Sequence, residues 1–293
     1  MAKIADLSRS AVTSDSRQPS TLLSVDHGHV EINFEGKVAV VTGGSKGVGL
    51  EAARQLASSG AQVVIGSRTV TEELAQLRDE MGVLAVRVDL SKAEGPARLI
   101  ATAETERGGV DVLLNNVGAS EPGPTLADID DAAWQRVFDT TFFSAVRASR
   151  AVIPSMVARG GGSIVNVSSI NAKLPDPAIA HYSAAKAALS NLTKSTAIEL
   201  APHRVRVNAI SPGPIRTPFW TSANGFAAIV ADAAGTTPQE VIDEVVPQRM
   251  GILTGRFSLP QEVAALAVFL ASEVAANVTG ADYVIDGGAL KTV

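Results

Sequence analysis

Residues 38–61 read VAVVTGGSKGVGLEAARQLASSGA, and this stretch decides the fold class. An apolar run is followed by a glycine-rich loop and then by an alanine-rich segment with the character of a helix. Glycine permits a tight turn and lets backbone N–H groups approach a pyrophosphate at the positive end of a helix. The order of strand, glycine loop and helix therefore predicts a dinucleotide-binding unit. The spacing is G-x-x-x-G-x-G rather than the commoner G-x-G-x-x-G, and a tight turn that binds nothing is the alternative.

Beyond this unit, short apolar runs alternate with longer segments of helical period. We predict strands at Lys37–Thr42, Gln62–Gly66, Leu84–Asp89, Val110–Asn115, Ser163–Ser168, Val205–Ile210 and Asp282–Ile285. We predict helices at Val48–Ser58, Thr71–Met81, Ala93–Arg107, Ala132–Ala158, Ala180–Glu199 and Pro260–Ala271. Strands that alternate with helices indicate an α/β fold. We expect a single-domain, Rossmann-like doubly wound sheet of about seven parallel strands with helices on both faces.

The composition narrows the class of protein further. The 293 residues are 46% apolar and 19% charged, which is typical of a globular protein with a large core. The net charge of −5 comes without a basic block, which argues against nucleic acid as a partner. The chain has no cysteine, so disulfides and thiolate catalysis are excluded. No apolar run reaches the roughly 18 residues of a membrane span, and we expect a cytoplasmic protein without membrane contact.

Residues 1–35 differ from the rest of the chain, because they are rich in Ser and Thr and lack a periodic apolar pattern. Their basic residues are offset by aspartates, and they contain no apolar core of a secretory signal. We interpret them as a flexible arm, or as an arm that packs on a neighbouring subunit. Residues 36–293 then form one Rossmann-fold domain, in which a segment at about 218–259 is the least regular part.

A second stretch, Gly162–Lys186, carries the candidate chemistry. Its predicted strand ends in two hydroxyls, Ser168 and Ser169, and the helix that follows carries Tyr182 and Lys186 four residues apart. Residues at this spacing share one helix face. A strand-end hydroxyl can therefore meet both side chains at the carboxyl edge of the sheet, where open α/β sheets bind ligands. A plain surface pair on the helix is the alternative.

These side chains suit proton exchange with a substrate oxygen. A free tyrosine has a pKa of about 10, and lowering it to about 7 needs roughly 4 kcal/mol in favour of the phenolate. An ammonium about 5 Å away supplies on the order of 3 kcal/mol at an effective dielectric constant of about 20. A cationic oxidised nicotinamide would add the remainder. We therefore expect Lys186 to lower the pKa of Tyr182, Tyr182 to act as general acid and base, and Ser169 to hold the same oxygen.

Two cations near the end of the second strand bear on the choice of dinucleotide. Dinucleotide sites often place an acid there, which accepts hydrogen bonds from the ribose. This sequence has Ser67 followed by Arg68, and Lys46 lies in the glycine loop. Both cations can pair with a 2′-phosphate, which an acid would repel. We therefore predict NADP(H) in preference to NAD(H), with solvated surface charges as the alternative.

The ends of the third and fourth strands add further groups. Asp89 is placed to reach the edge of an adenine. Asn115 and Asn116 offer amides, and Gly118 allows a close approach of the backbone to a cofactor. A loop cap is the alternative for the two asparagines, because asparagine favours turns.

With these features in place, the chain resembles a short-chain dehydrogenase/reductase over roughly Phe34–Gly288. The resemblance rests on TGGSKGVG at 42–49, NNVG at 115–118, SPGPIRTP at 211–218 and the set Ser169, Tyr182 and Lys186. Ser169 precedes Tyr182 by thirteen residues, which is the family spacing and favours it over Ser168. The resemblance implies an oxidoreductase that transfers a hydride between nicotinamide and a ketone or secondary alcohol.

The resemblance also implies which residues contact the cofactor and how the chain assembles. The implied cofactor set is Gly43, Ser45, Lys46, Gly47, Val48, Gly49, Ser67, Arg68, Asp89, Leu90, Asn116, Gly118, Tyr182, Lys186, Pro212, Gly213, Ile215 and Thr217. No metal is implied. Members of the family commonly form tetramers through two long helices, so we expect a homotetramer or a homodimer.

Thr141 stands where the family carries the asparagine of its catalytic tetrad, on an alignment anchored at Trp134 and Pro154. In the family this asparagine is thought to keep a helix bend open, so that a backbone carbonyl can hold a water beside the lysine. A threonine hydroxyl can bond to a backbone carbonyl one turn earlier and bend a helix as well. We therefore expect Thr141 to support a modified relay.

Aromatic residues cluster in the 218–259 segment, which covers the substrate in the family, and they favour a hydrophobic substrate. Our leading hypothesis is an NADP(H)-dependent carbonyl reductase or alcohol dehydrogenase. A nucleotide-binding sensor or scaffold without turnover is the rival hypothesis, and only Thr141 argues for it. A lyase or dehalogenase on the same fold is a third hypothesis, but such proteins usually lose the glycine loop that this chain keeps.

Overall fold

A computed structural model of the protein describes residues 31–123 and 125–292, and a seven-stranded sheet forms its centre. The strands are β1 (Val38–Thr42), β2 (Gln62–Ser67), β3 (Leu84–Arg87), β4 (Val112–Asn115), β5 (Gly162–Val167), β6 (Val205–Pro212) and β7 (Asp282–Ile285). All neighbouring strands are parallel, and their order across the sheet is β3-β2-β1-β4-β5-β6-β7. The predicted fold class is therefore confirmed, and each predicted strand is present within two residues of its predicted ends.

Helices surround the sheet. They are α1 (Gly47–Ser58), α2 (Glu72–Met81), α3 (Gly95–Arg107), α4 (Asp131–Phe138), α5 (Ser144–Ala158), α6 (Ala180–Leu200), α7 (Pro218–Thr221), α8 (Phe226–Ala234), α9 (Pro238–Glu240), α10 (Val246–Arg249) and α11 (Pro260–Ala271). Two π-helical segments, Asp139–Phe143 and Val241–Val245, join α4 to α5 and α9 to α10. Within the described part of the chain, no helix has both the length and the apolar character that a membrane span requires.

The five inner strands, β2, β1, β4, β5 and β6, are mostly buried on both faces, which explains why their sequences are largely continuous apolar runs rather than alternating ones. Neighbouring residues of one strand face opposite sides: Val41 packs with α1, α2 and α11, whereas Val40 packs with α3, α5 and α6. Leu114 and Leu113 of β4 divide between the two sides in the same way. The sheet is thus a rigid middle layer, and its carboxyl edge is free to carry the site.

The beginning of the domain lies earlier than the sequence predicted. Residues 1–30 of the predicted arm lie outside the described residues. Residues 31–35 are described, and Phe34 is only 3% exposed, in the cluster that includes α1. The backbone N–H of Phe34 donates to the carbonyl of Ser59 at 2.7 Å. The packed chain therefore starts before the predicted boundary at residue 36.

The 218–259 segment is more regular than the sequence predicted. Four short helices, α7 to α10, occupy most of it, and a separate apolar cluster that includes Ala227, Ile242 and Phe257 packs beneath them. Helices this short show too few turns for a periodic apolar pattern to be recognised. The predicted single helix Ala132–Ala158 is also interrupted, because the Asp139–Phe143 segment is π-helical.

Candidate active site

A cavity of about 1030 Å³ lies along the carboxyl ends of the strands. Strand order reverses between β1 and β4, so the loops that follow these two strands diverge and leave a crevice there. The proposed catalytic residues and the implied cofactor set line this cavity except Gly49 and Thr141, and Asn115 does not line it either. The site itself stays a prediction, and these three residues have positions behind the cavity wall.

The glycine loop is shaped to receive an anion. Gly47 begins α1 with φ of +60°, a conformation that residues with a side chain rarely adopt. A Cβ on Gly49 would lie 2.5 Å from the carbonyl oxygen of Gly43, so the loop closes only with glycine at this place. Lys46, the residue before α1, provides no side-chain cap for the helix. The N–H groups of the first turn therefore have no side-chain partner at the cap and fit a pyrophosphate.

The two asparagines at the end of β4, Asn115 and Asn116, use their side-chain N–H groups for contacts within the fold. The Asn116 Nδ2 donates to the carbonyls of Thr42 and Gly43, at 3.0 and 2.9 Å, and so fixes the start of the glycine loop. Asn115 is buried, and its Nδ2 donates to Asn166 at 2.9 Å. The side-chain N–H groups of both asparagines are therefore used within the fold, and the expected contact of Asn116 with a cofactor stays a prediction.

The adenosine end of the cavity is basic at its surface. Lys46 and Arg68 are exposed, line the cavity, and form no ion pair with another described residue. The Ser67 hydroxyl donates to the carbonyl of Thr69 at 2.7 Å, so its one proton is committed. Lys92 is a further cation on the wall that sequence analysis missed, because it lies beyond the end of β3.

Asp89 shares this end of the cavity with the cations. Hydrogen bonds from the side chain and the backbone N–H of Ser91, at 2.7 and 3.0 Å, hold the pKa of its carboxyl below the usual value, and the charges of Arg68 and Lys92 act in the same direction. The carboxylate is therefore charged and held in one orientation. Leu90, the next residue, is buried beneath it.

Lys186 is buried near Tyr182 on α6. Its Nζ donates to the carbonyl of Val167, at the end of β5, at 2.6 Å, and lies 5.6 Å from the ring centre of Tyr182. Burial lowers the pKa of Lys186 to about 7. Burial therefore disfavours the charged form of the lysine, whereas sequence analysis assumed a permanent ammonium.

Tyr182 also departs from the expectation. Burial raises the pKa of its phenol, and the nearby Ser169 hydroxyl opposes that rise only in part. Within the protein itself burial, rather than the charge of Lys186, therefore sets the direction of this shift. Tyr182 therefore holds its proton at neutral pH.

Ser169 follows the end of β5 and faces the cavity. Its hydroxyl accepts from the N–H of Asn171 and donates to the side-chain oxygen of Asn171, both at 3.1 Å. This second contact was missed from the sequence, although a serine two residues before an asparagine is a recognisable turn pattern. Asn171 Oδ1 competes with the substrate for the single proton of Ser169.

Thr141 is fully buried in the π-helical segment between α4 and α5. Its hydroxyl accepts from the N–H of Ala119 and donates to the carbonyl of Ala119, both at 3.1 Å. The expected bond to a carbonyl one turn earlier is therefore wrong, because the side chain faces the loop after β4. Ser144 makes that kind of bond instead, by donating to the carbonyl of Thr140 at 2.6 Å.

The bend itself has a clear backbone cause. The N–H of Ser144 donates to the carbonyl of Asp139, five residues earlier, rather than to that of Thr140. An ion pair of 2.8 Å between Arg147 and Asp139 spans the same turn. Segments of this kind are frequent at functional sites. The structure therefore has a helix distortion where the family asparagine would stand.

The substrate end of the cavity has two unlike walls. Phe219 and Phe226 stack with ring centres 5.7 Å apart, and Trp220 meets Phe226 edge-on at 4.9 Å. The second wall carries an ion pair of 2.8 Å between Arg136 and Glu121, whose hydrogen bond keeps the pKa of the Glu121 carboxyl low. Both walls line the same cavity. The arrangement suits a ligand with an apolar skeleton and at least one polar group.

Known proteins resemble the chain along most of its length. A family model described as short chain dehydrogenase matches residues 37–227. Dehydrogenase/reductase SDR family member 4 of Bos taurus is 38% identical over 262 residues, which cover 88% of this chain and 88% of the bovine protein. Cis-4-hydroxycyclohexanecarboxylate dehydrogenase of Sinomonas cyclohexanicum is 38% identical and matches 87% of this chain and 97% of its own.

A solved structure agrees in fold as well as in sequence. L-sorbose reductase from Gluconobacter frateurii, complexed with NADPH and L-sorbose, matches with a TM-score of 0.83 and 36% identity. The match covers 90% of this chain and 100% of the reductase chain. The chain therefore belongs to the short-chain dehydrogenase/reductase family of oxidoreductases, which use NAD or NADP as cofactor.

Proposed function

We propose that this protein is an NADP(H)-dependent ketone reductase or secondary alcohol dehydrogenase, in which Tyr182 exchanges a proton with the substrate oxygen. One observation carries the proposal. Tyr182, Lys186 and Ser169 converge on one end of a cavity whose other end holds the glycine loop and two cations. A dinucleotide that lies along this crevice has its phosphates at the glycine loop and its reactive end at the three side chains.

NADPH, when bound, supplies the hydride, and the protein has to supply the proton. Tyr182 suits this task in the direction of reduction, because burial keeps its phenol protonated until a substrate oxygen gains negative charge. Ser169 can turn its proton from Asn171 to the same oxygen. Lys186, with a pKa of about 7, can take up or release a proton near neutral pH and so return one to Tyr182.

The preference for NADP(H) over NAD(H) is supported by charge at the adenosine end. Arg68 and Lys46 offer two cations to a 2′-phosphate, and no acid follows β2 that would bind a free ribose hydroxyl. The proton of Ser67 is committed to Thr69, so the cations have to make the contacts that discriminate. The NADPH complex of the related L-sorbose reductase agrees with this choice.

For the substrate we propose a neutral, largely hydrophobic ketone with one polar group. The aromatic wall of Phe219 and Phe226 contacts its carbon skeleton, while Glu121 and Arg136 offer hydrogen bonds on the other side. L-sorbose and a hydroxylated cyclohexanecarboxylate, the ligands in the names of two relatives, also combine a ring or chain with polar groups. The homotetramer and the cytoplasmic location expected from the sequence stay predictions.

The test is turnover by the purified full chain. We expect NADPH oxidation with at least one member of a panel of neutral ketones, with the matching secondary alcohol found by mass spectrometry. A 4-substituted cyclohexanone series, with hydrogen, methyl, hydroxyl or carboxylate as the substituent, tests the substrate class directly. Tight binding of NADPH without turnover on any ketone would contradict the proposal and favour a nucleotide sensor.

A further inference from the structure

The carboxylate of Asp282, which lies outside the predicted site, joins several of the elements that carry the site. Asp282, the first residue of the edge strand β7, accepts a hydrogen bond of 2.6 Å from the Ser211 hydroxyl on its Oδ1. Its Oδ2 accepts 3.0 Å from Ser190 and forms an ion pair of 3.1 Å with Lys173. Ser190 in turn lies 2.8 Å from the hydroxyl of Ser168. The side chain of Asp282 is only 19% exposed, so water does little to screen these contacts.

The number of protons in this network determines which hydroxyl donates to which acceptor. Each serine hydroxyl has one proton to donate, and a carboxylate can only accept. Ser190 donates to Asp282, and it must therefore accept from Ser168. The hydroxyl of Ser168 is directed toward Ser190, and its 3.2 Å contact with the carbonyl of Lys186 becomes the weaker one. Asp282 thereby determines where the proton of Ser168 points.

The elements tied by Asp282 are those that hold the proposed catalytic groups. Ser190 lies on α6, one turn after Lys186, and Lys173 lies in the loop that follows Ser169. Ser211 lies in β6 directly before Pro212 and Gly213, which line the cavity. One carboxylate therefore connects the helix of Tyr182, the loop of Ser169 and the end of β6.

We propose that Asp282 is a positioning residue for the reaction. It holds α6 and the Ser169 loop at a fixed separation and turns the hydroxyl of Ser168 away from the substrate, so that Ser169 is the serine that acts. The inference rests on the proposed function, because it assigns a task to that same site. It concerns a residue that touches neither the cavity nor the expected cofactor.

The first test compares Asp282→Val with the wild type. Valine suits an edge strand, so β7 should persist, but the buried Ser211 hydroxyl loses its partner and the melting temperature should fall; kcat is therefore measured per folded molecule. We expect kcat to fall by about 10- to 100-fold, because displacement of the helix by a fraction of an ångström misplaces Tyr182 relative to Ser169. The dissociation constant of NADPH should stay within about twofold, because the glycine loop and Arg68 lie at the other end of the crevice.

A conservative variant and a double variant separate positioning from general stability. Asp282→Asn keeps one acceptor for Ser211 and should therefore lose less kcat than Asp282→Val. Ser190→Ala removes the link between Asp282 and Ser168, so Asp282→Val and Ser190→Ala together should lose little more than Asp282→Val alone. Additive losses in kcat would show that the two residues act independently and would overturn the proposal.

Asp111, directly before the central strand β4, offers a matched control. Its carboxylate also joins separate elements, through 2.8 Å to the N–H of Val38 and an ion pair of 3.0 Å with Arg159. We expect Asp111→Asn to lower the melting temperature and to leave kcat per folded molecule unchanged. If Asp282→Val behaved like this control, its role would be structural only.

Hydrogen exchange provides a readout that does not depend on turnover. Asp282→Val should speed amide exchange in peptides that cover residues 169–176 and 180–190, and leave exchange in β1 and α1 unchanged. If the wild type reduces no ketone at all, the proposed function fails. Hydrogen exchange still tests whether Asp282 holds α6 and the Ser169 loop in place. Unchanged exchange at residues 169–190 in Asp282→Val would overturn the inference, whatever the activity.

Discussion

The two ends of the crevice are built in different ways. At the cofactor end, backbone atoms set the shape: Gly49 leaves no room for a side chain, and Asn116 holds the glycine loop by two hydrogen bonds. At the substrate end, side chains on short helices set the shape, and Phe219 is 49% exposed. The contrast suggests that the cofactor is recognised by rigid geometry, whereas the substrate is selected by groups that can vary without harm to the fold.

The largest expected effect on NADPH binding comes from Gly49→Ala at the cofactor end. Gly225→Ala at the substrate end is the variant to compare with it. In Gly49→Ala the new Cβ would lie 2.5 Å from the Gly43 carbonyl, and the loop has to open. In Gly225→Ala the new Cβ would lie 2.7 Å from the carbonyl of Trp220. We expect Gly49→Ala to weaken NADPH by more than about 100-fold in calorimetry, because a phosphate site made of backbone N–H groups loses its shape.

The same crowding at Gly225 should affect a different quantity. Gly225→Ala shifts Trp220 and the aromatic wall, so it should raise KM for the ketone and leave the dissociation constant of NADPH within about twofold. Circular dichroism would check that both variants are folded. The contrast between the two ends would be contradicted if Gly225→Ala weakened NADPH binding as much as Gly49→Ala does.

The next effect concerns the 2′-phosphate. Each charge-assisted contact to it is worth roughly 1.5–3 kcal/mol, so Arg68→Asp should weaken NADPH by at least about tenfold and improve NADH relative to it. Arg78→Asp is the control, because Arg78 is exposed on α2 and pairs only with its neighbour Asp79 among the described residues. The ratio of kcat/KM for NADPH to that for NADH is the measurement. A wild type that prefers NADH would refute the assignment of Arg68.

The third effect concerns Thr141, whose hydroxyl contacts the loop after β4 behind the cavity wall. Thr141→Val removes both hydrogen bonds between its hydroxyl and the backbone of Ala119, each worth about 0.5–1.5 kcal/mol, so the loop that carries Gly118 beside Lys186 should shift. We expect kcat to fall by about tenfold. Thr141→Ser keeps the hydroxyl and should retain most of the activity. Equal losses in the two variants would show that the hydroxyl is not what matters.

A smaller effect is expected at the aromatic wall. Phe219→Ala removes the exposed ring that stacks on Phe226 and should raise KM for a hydrophobic ketone by about three- to tenfold, with NADPH binding unchanged. Ile229→Ala removes a side chain of the same segment that is 57% exposed and does not line the cavity. Steady-state kinetics should show no change in that control. A KM that is unaffected by Phe219→Ala would move the substrate away from this wall.

The last effect concerns stability rather than turnover, and it depends on pH. Burial lowers the pKa of Lys186 from 10.5 to about 7, so between these values the unfolded chain binds more protons than the folded one. The free energy of unfolding should therefore rise with pH from about 7 to about 10.5 and be flat in this respect below about 7. Lys186→Met removes the contribution. The melting temperature of the wild type minus that of Lys186→Met should rise with pH over that window. A constant difference would contradict the lowered pKa.

Much of the cofactor end was predictable because backbone geometry requires particular residues. Glycines at 43, 47 and 49 between a strand and a helix have few other uses, and the Tyr182–Lys186 spacing defines one helix face. The roles of Asn115 and Asn116 were not predictable, because an amide next to a cavity can as well turn inward. Nor could the sequence show that burial outweighs Lys186 at the phenol of Tyr182, since that balance depends on how much water reaches both groups.

The substrate end was predicted less well for a related reason. Short helices give weak periodic signals, so α7 to α10 were overlooked. The link from Asp282 to Ser190 spans 92 residues of sequence and depends on the pairing of β6 with β7. Such contacts follow from sheet order, which the sequence indicates only as a class of fold.

The most direct test of the account is a single-turnover experiment on Tyr182→Phe. NADPH-loaded enzyme is mixed with whichever ketone the panel yields, and the rate of NADPH oxidation is followed beside that of the wild type. The phenyl ring keeps its place but has no proton to give, so we predict a rate lower by about 10² to 10⁴ with an unchanged dissociation constant of NADPH. If Tyr182→Phe kept more than about a tenth of the wild-type rate, another group would supply the proton. The assignment of this crevice as a tyrosine-dependent reductase site would then be contradicted.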